Sequence, residues 1–213
     1  MPLPNGVTPA GRIEATCASA AWLGNRGILH DGHGTITRAW ANKAWVTCAL
    51  SFKGRNRKPL MQPGRYSELF FLDEVTAFAA GHRPCAECRR TAHDAFKAAW
   101  FAANLPAGKS VAEIDRALHL ERVTAGRAKR TFRAALADLP PGTIVEYDGN
   151  AFLLWRGGPA RWTPRGYDTS SPAPPHTAVI DVLTPASIVA VFRRGLLPQV
   201  HPSAEAGAPE RAR

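Results

Sequence analysis

Two cysteines with two residues between them, Cys85 and Cys88, stand in the stretch YSELFFLDEVTAFAAGHRPCAECRRTAHDAF at residues 66–96. That spacing lets both sulfurs turn inward on one tight knuckle and reach a single ion. A tetrahedral Zn²⁺ takes four ligands at about 2.0–2.3 Å, so the pair is half a site and the fold must supply the rest. The flanking residues agree with a metal-site scaffold. Residues 68–72 are apolar-rich and strand-like, Asp73 is a good N-cap, and residues 74–80 read as a short helix with Gly81 placed to end it. Pro84 stiffens the entry to Cys85, and a second helix starting at Arg89 carries Phe96 and Trp100.

Composition limits what can surround this knuckle. With 213 residues, 45% hydrophobic and 21% charged, the chain is long enough to bury a core and too apolar to be disordered. No apolar run approaches the roughly 18 residues of a membrane span, and MPLPNGVTPAG has no signal-like apolar segment. The expected location is the cytoplasm, without a membrane partner, where cysteines serve as ligands or free thiols rather than disulfides. Lys and Arg number 27 against 17 Asp and Glu, a net charge of +10, which points to a polyanionic partner, most simply DNA.

The basic residues cluster in two places. The turn-rich loop RNRKPLMQPGRY carries Arg55, Arg57 and Lys58. Farther on, residues 127–139 match a helix with Ala128, Phe132, Ala135, Leu136 and Leu139 on one face and Arg127, Lys129, Arg130 and Arg133 on the other. A uniformly cationic helix face can track a phosphate backbone. Other helices are expected at 92–103, 111–123 and 186–194, a hairpin at 27–40 and a strand at 43–52. Pro140-Pro141-Gly142 marks a change to β character, with residues 157–176 read as a long irregular loop. The predicted class is α+β: a zinc-knuckle module on a small antiparallel sheet with helices at 12–139, a β-rich C-terminal part at 140–200, and a disordered tail at 201–213.

The run FFLDEVTAFAAGHRPCAECRR resembles the second half of the metal-binding domain of the Ada DNA-repair family: an aromatic strand, a short helix ending Ala-Ala-Gly, an aromatic position held here by His82, then Arg-Pro-Cys-x-x-Cys. The likeness is limited to about residues 66–96. It implies zinc held by four cysteines, DNA binding, and a methyl-accepting thiol. The upstream half departs from that pattern, because Cys48 stands alone and Phe52 occupies the place of the second thiol. Cys48 is the expected third ligand. The fourth is sought among His30, His33, Cys17, His82 and His93, with His30 leading because its strand is expected to pair with that of Cys48. Exchanging a thiolate for neutral imidazole lowers the negative charge available for attack, so the expected role is structural.

One other constellation carries catalytic residue types. Asp115, His119 and Arg122 fall at i, i+4 and i+7 of one predicted helix, where a carboxylate one turn from a histidine can orient it as a general base. The leading reading is a zinc-containing DNA-binding protein in repair or processing. Its rivals are a nuclease or base-processing enzyme using Asp115, His119 and Arg122, and a structural zinc protein with a protein partner.

Overall fold

The computed structural model describes residues 3–15, 20–104 and 110–206. The protein is α+β, with two six-stranded sheets and four α-helices among these residues. The first sheet has the order β2-β1-β5-β3-β4-β6, built from β1 (Gly6–Val7), β2 (Ile13–Glu14), β3 (Trp22–Asn25), β4 (Val46–Cys48), β5 (Leu69–Phe71) and β6 (Arg83–Pro84). It is mixed rather than antiparallel throughout, since β1 pairs with β5, and β4 with β6, in parallel. The second sheet, β11-β10-β9-β8-β12-β7, is antiparallel. It comprises β7 (Phe132–Ala135), β8 (Ile144–Tyr147), β9 (Asn150–Trp155), β10 (Gly158–Thr163), β11 (Gly166–Asp168) and β12 (Val179–Val182).

Between the sheets lies α1 (Glu74–Ala79), all six residues of which are buried. Its start and stop follow the sequence signals. The Asp73 side chain accepts from Thr76 N at 2.9 Å. At the other end Gly81 N donates to Phe78 O and His82 N to Ala77 O, the paired bonds of a Schellman motif. Gly81 has φ +86°, and a Cβ there would stand 2.5 Å from Arg122 Cδ, so both backbone and space demand glycine. With all six residues buried, α1 is enclosed on every side. Val75 and Ala79 pack with Ile144, Leu153 and Tyr167 of the second sheet, Phe78 packs with Phe96, Ile114 and Phe192 of the helices, and Ala77 packs with Leu69 and Phe71 of the first sheet.

The remaining helices, α2 (Arg90–Ala103), α3 (Val111–Arg122) and α4 (Ala186–Arg193), share the core of Phe96, Trp100, Ile114, Leu118, Ile188 and Val191. Polar stitches cross between the halves. Asp73 Oδ2 accepts from Tyr167 Oη and from His201 N, both at 2.9 Å, and Trp162 Nε1 donates to Thr76 Oγ1 at 3.0 Å. Trp155 and Tyr167 lie in the core between α1 and the second sheet, and Trp162 packs against it.

Four expectations are corrected. The helix expected at 127–139 is absent: Arg127 sits at φ 64° in a tight turn, Val123 bridges Lys129, and β7 and a 3₁₀ turn at Leu136–Asp138 follow. Its apolar residues fit a two-residue period as well, with Phe132 and Ala134 inward and Arg133 outward, and pairing with β12 decides the outcome. The second sheet therefore begins before residue 140. Residues 157–176, expected to be irregular, contain β10 and β11. The tail expected to be disordered from residue 201 instead has a 3₁₀ turn at Pro202–Ala204, and Ala204 is buried in the core.

Candidate metal centre

The metal-ligating geometry begins with the register of one strand pair. In the parallel β4–β6 ladder Val46 faces Arg83 and Thr47 faces Pro84, and the next rung is Cys85 N donating to Thr47 O at 2.9 Å. Cys48 follows Thr47 and Cys85 follows Pro84, so the two thiols emerge side by side from adjacent strand ends. The chain then turns through residues 86–89 into α2, with Arg89 N donating to Cys85 O at 3.1 Å, and the turn brings Cys88 back to the pair. The sulfurs of Cys48, Cys85 and Cys88 all lie within 4.8 Å of one another, and each residue is half-buried.

This cluster can hold a metal ion. Two sulfurs bound at about 2.3 Å to one tetrahedral ion stand roughly 3.8 Å apart, inside the observed limit. Backbone amides already point at two of the sulfurs, from Ala49 N to Cys88 Sγ and from Glu87 N to Cys85 Sγ, each at 3.4 Å. Such donors stabilise thiolate, the form a metal binds. The Cys48 thiol donates toward Cys85, which holds Cys85 down to about 4 while pushing Cys48 well up. Three soft donors in this arrangement suit a thiophilic ion rather than calcium or magnesium.

The other residues singled out from the sequence are placed as follows. His30, expected as fourth ligand, stands apart from the sulfurs. Its Nδ1 is 2.6 Å from Ser67 Oγ and its Nε2 is 3.2 Å from Gln62 O, because the 27–40 turn folds against residues 62–67 rather than against β4. His82 takes the aromatic place in the core, with ring centroids 4.7 Å from Phe71 and 5.1 Å from Trp45. His93 Nδ1 is held by Pro84 O at 3.1 Å, and His33 lies on the exposed turn. Cys17 falls outside the described residues. Among the described residues no histidine or carboxylate joins the three sulfurs.

Asp115 does not orient His119. Its two oxygens accept from Arg83 Nε and Nη2, each at 2.7 Å, in a buried fork, whereas His119 Nδ1 faces Arg122 Nη2 at 3.3 Å. Burial, then the Arg122 and Lys43 charges, pull the His119 imidazole below its ordinary value. Arg122 itself ties α3 to the first sheet through Gly81 O at 2.8 Å and Lys43 O at 2.7 Å. A carboxylate locked on an arginine is no partner for a general base.

Of the basic loop, Arg55 pairs with Glu87 inside the knuckle turn, and Arg57 donates to Leu50 O at 2.5 Å, so both brace the metal cluster's rim. Lys53 and Lys58 remain exposed. Arg127, Arg130 and Arg133 are exposed on the turn and on β7, while Lys129 turns inward, its Nζ donating to Ala79 O at 2.6 Å. Sequence reasoning missed Arg26, which is 1% exposed and stacks on Trp45 with Cζ 3.9 Å from the ring centroid. Nothing in its local sequence, Gly-Asn-Arg-Gly, announces burial.

No protein-family model, curated protein or solved structure matches the chain. Among the described residues no helix is long and apolar enough to cross a membrane.

Proposed function

We propose that this protein holds one zinc ion through Cys48, Cys85 and Cys88, and that the zinc-braced end of the first sheet docks on DNA. The observation that carries the metal half is the meeting of three sulfurs, one from β4 and two from the following knuckle, within 4.8 Å. The described residues supply three of the four positions a tetrahedral ion fills. Zinc in that setting would lock β4, β6 and the start of α2 together. The half-buried thiols and the absence of a base held by Asp115 favour a structural role over nuclease chemistry.

Support for DNA is electrostatic. The chain carries +10, and exposed Lys53 and Lys58 project from the loop whose Arg55 is pinned to the knuckle at Glu87. The likeness of residues 66–96 to the Ada metal-binding domain points the same way. Elemental analysis of freshly purified protein should find one zinc per chain, and Cys85→Ser should lose it. Intact-mass measurement after incubation with methylphosphotriester DNA should find Cys48 unmodified. A metal-free folded protein ends the zinc reading, and one added methyl group on Cys48 replaces the structural role by methyl capture.

A further inference from the structure

A pocket of about 920 Å³ opens where the turn after α3, the 10–14 segment and the 36–40 segment meet the edge of the second sheet. Six cationic side chains line it. Three of them, Arg26, Arg122 and Lys129, turn inward, and none of these three has a carboxylate within salt-bridge distance among the described residues. Arg26 and Arg122 are each 1% exposed. Arg26 donates to His82 Nε2 at 3.1 Å, Gly11 O at 3.0 Å and Ala39 O at 3.3 Å, and Lys129 has Ala79 O. All of these acceptors are uncharged. Asp115, whose charge does reach Arg122, keeps both oxygens on Arg83.

Nitrogen donors are left over. Arg26 Nη2 and Arg122 Nε are buried without a hydrogen-bond partner. The free Nη2 faces the space beside Gly11, a lining residue on which a Cβ would stand 3.7 Å from it. Arg26 and Arg122 stack on Trp45, each with Cζ 3.9 Å from the ring centroid, so the ring stands between them. The free donor an anion can meet beside Gly11 is therefore that of Arg26. An unpaired buried donor and an uncompensated buried charge are both costly, and an anion there relieves both. Burial pulls Lys129 down to about 7, with the Arg26 and Arg122 charges adding to it, and pulls Arg122 down to about 9 against the opposing charge of Asp115 and with that of Arg83.

The rim decides the size of the ligand. Exposed Arg12, Arg38 and Arg127 are equalled in number by exposed Glu14, Glu146 and Asp181, only Arg12 and Glu14 being paired, so the exposed lining carries no net charge and the positive charge lies within. A polyanion lying across such a mouth gains little, whereas a compact anion that enters meets the buried charge. We infer that this pocket binds a phosphate dianion, free or as the terminal group of a small phosphate monoester, on Arg26 and Lys129, with Arg122 adding its charge from across Trp45. A guanidinium with a free nitrogen and an ammonium with spare protons serve the several oxygens of phosphate better than the two of a carboxylate. The assignment goes beyond the zinc and DNA reading and does not depend on it.

Calorimetric titration of the full chain, with its zinc content measured, tests this with potassium phosphate, adenosine 5′-monophosphate and acetate at matched ionic strength. Phosphate or the monoester should bind saturably, and acetate at least about 10-fold more weakly. Lys129→Gln should weaken phosphate about 10-fold, the loss of one charged hydrogen bond, and Arg26→Lys should do likewise by removing the fork. Rim variant Arg38→Gln should change it less than about 3-fold, since exposed charges contribute little. Tighter binding of the monoester identifies that source, and equal binding identifies free phosphate. No heat beyond a chloride control, acetate equal to phosphate, or wild-type affinity in both Lys129→Gln and Arg26→Lys overturns the assignment. A zinc-free protein that still binds phosphate ends only the metal reading.

Discussion

At the scale of single residues, burial sorts the charged side chains into different roles. The Arg83–Asp115 fork is buried, and breaking such a pair from one side strands a charge, at a cost of about 3–5 kcal/mol. Asp115→Asn should therefore lower stability in urea by an amount of that order, while His119→Ala should change it by under about 1 kcal/mol. Were Asp115 a catalytic orienter, the order of effects on stability would have no reason to hold. Lys129 carries a pH signature. Its ammonium is held down to about 7 by burial and the nearby Arg26 and Arg122 charges, from an ordinary 10.5. Between those values the unfolded chain keeps the proton that the folded chain has lost, so stability rises with pH. In phosphate-free buffer the rise from pH 7 to 10 should be smaller in Lys129→Met, and identical urea midpoints across that range in both proteins would remove Lys129 from the account.

At the scale of elements, α1 shows how local signals and long-range packing divide the information. Its N-cap, its six helical residues and its terminal glycine are readable because each depends on neighbours within four positions. The Cys85–Cys88 knuckle is readable for the same reason. What the Asp73 carboxylate touches is not, since Tyr167 and His201 arrive from 94 and 128 residues away. Removing it should therefore cost more than an ordinary cap, which contributes about 0.5–2 kcal/mol. Asp73→Ala leaves Tyr167 Oη and His201 N without their acceptor and should shift the urea midpoint by more than Ser110→Ala, the exposed cap of α3, does. The false helix at 127–139 has the complementary cause, for alanines fit either period and only the β12 partner separates them. His30 was misplaced because its partners, Gln62 and Ser67, lie more than thirty residues off, and the Arg26–Arg122–Lys129 cluster was invisible because no two of its members are close in sequence except the last pair.

For the whole molecule, the charge distribution makes a prediction about DNA distinct from the pocket. Affinity should fall with salt at a slope of roughly −0.9 per phosphate neutralised. Replacing Lys53 and Lys58 with Gln should flatten the slope by up to about two, and replacing Arg127, Arg130 and Arg133 tests the β7 side separately. A slope unchanged by either set would leave the +10 as solubility charge alone. The parallel β4–β6 register has a last consequence, for which chain lengths the molecule tolerates. Between Gly81 and Cys85 every residue is committed, to the helix stop, to the core or to a rung beside β4, so one inserted residue there would carry Cys85 past Cys48. Between Cys48 and β5 the chain makes a surface excursion through residues 53–65, where added length costs little closure entropy. Both stretches lie between Cys48 and Cys85, so the same inserted residue is tolerated at the exposed Lys53-Gly54 tip of the excursion and forbidden immediately before the knuckle.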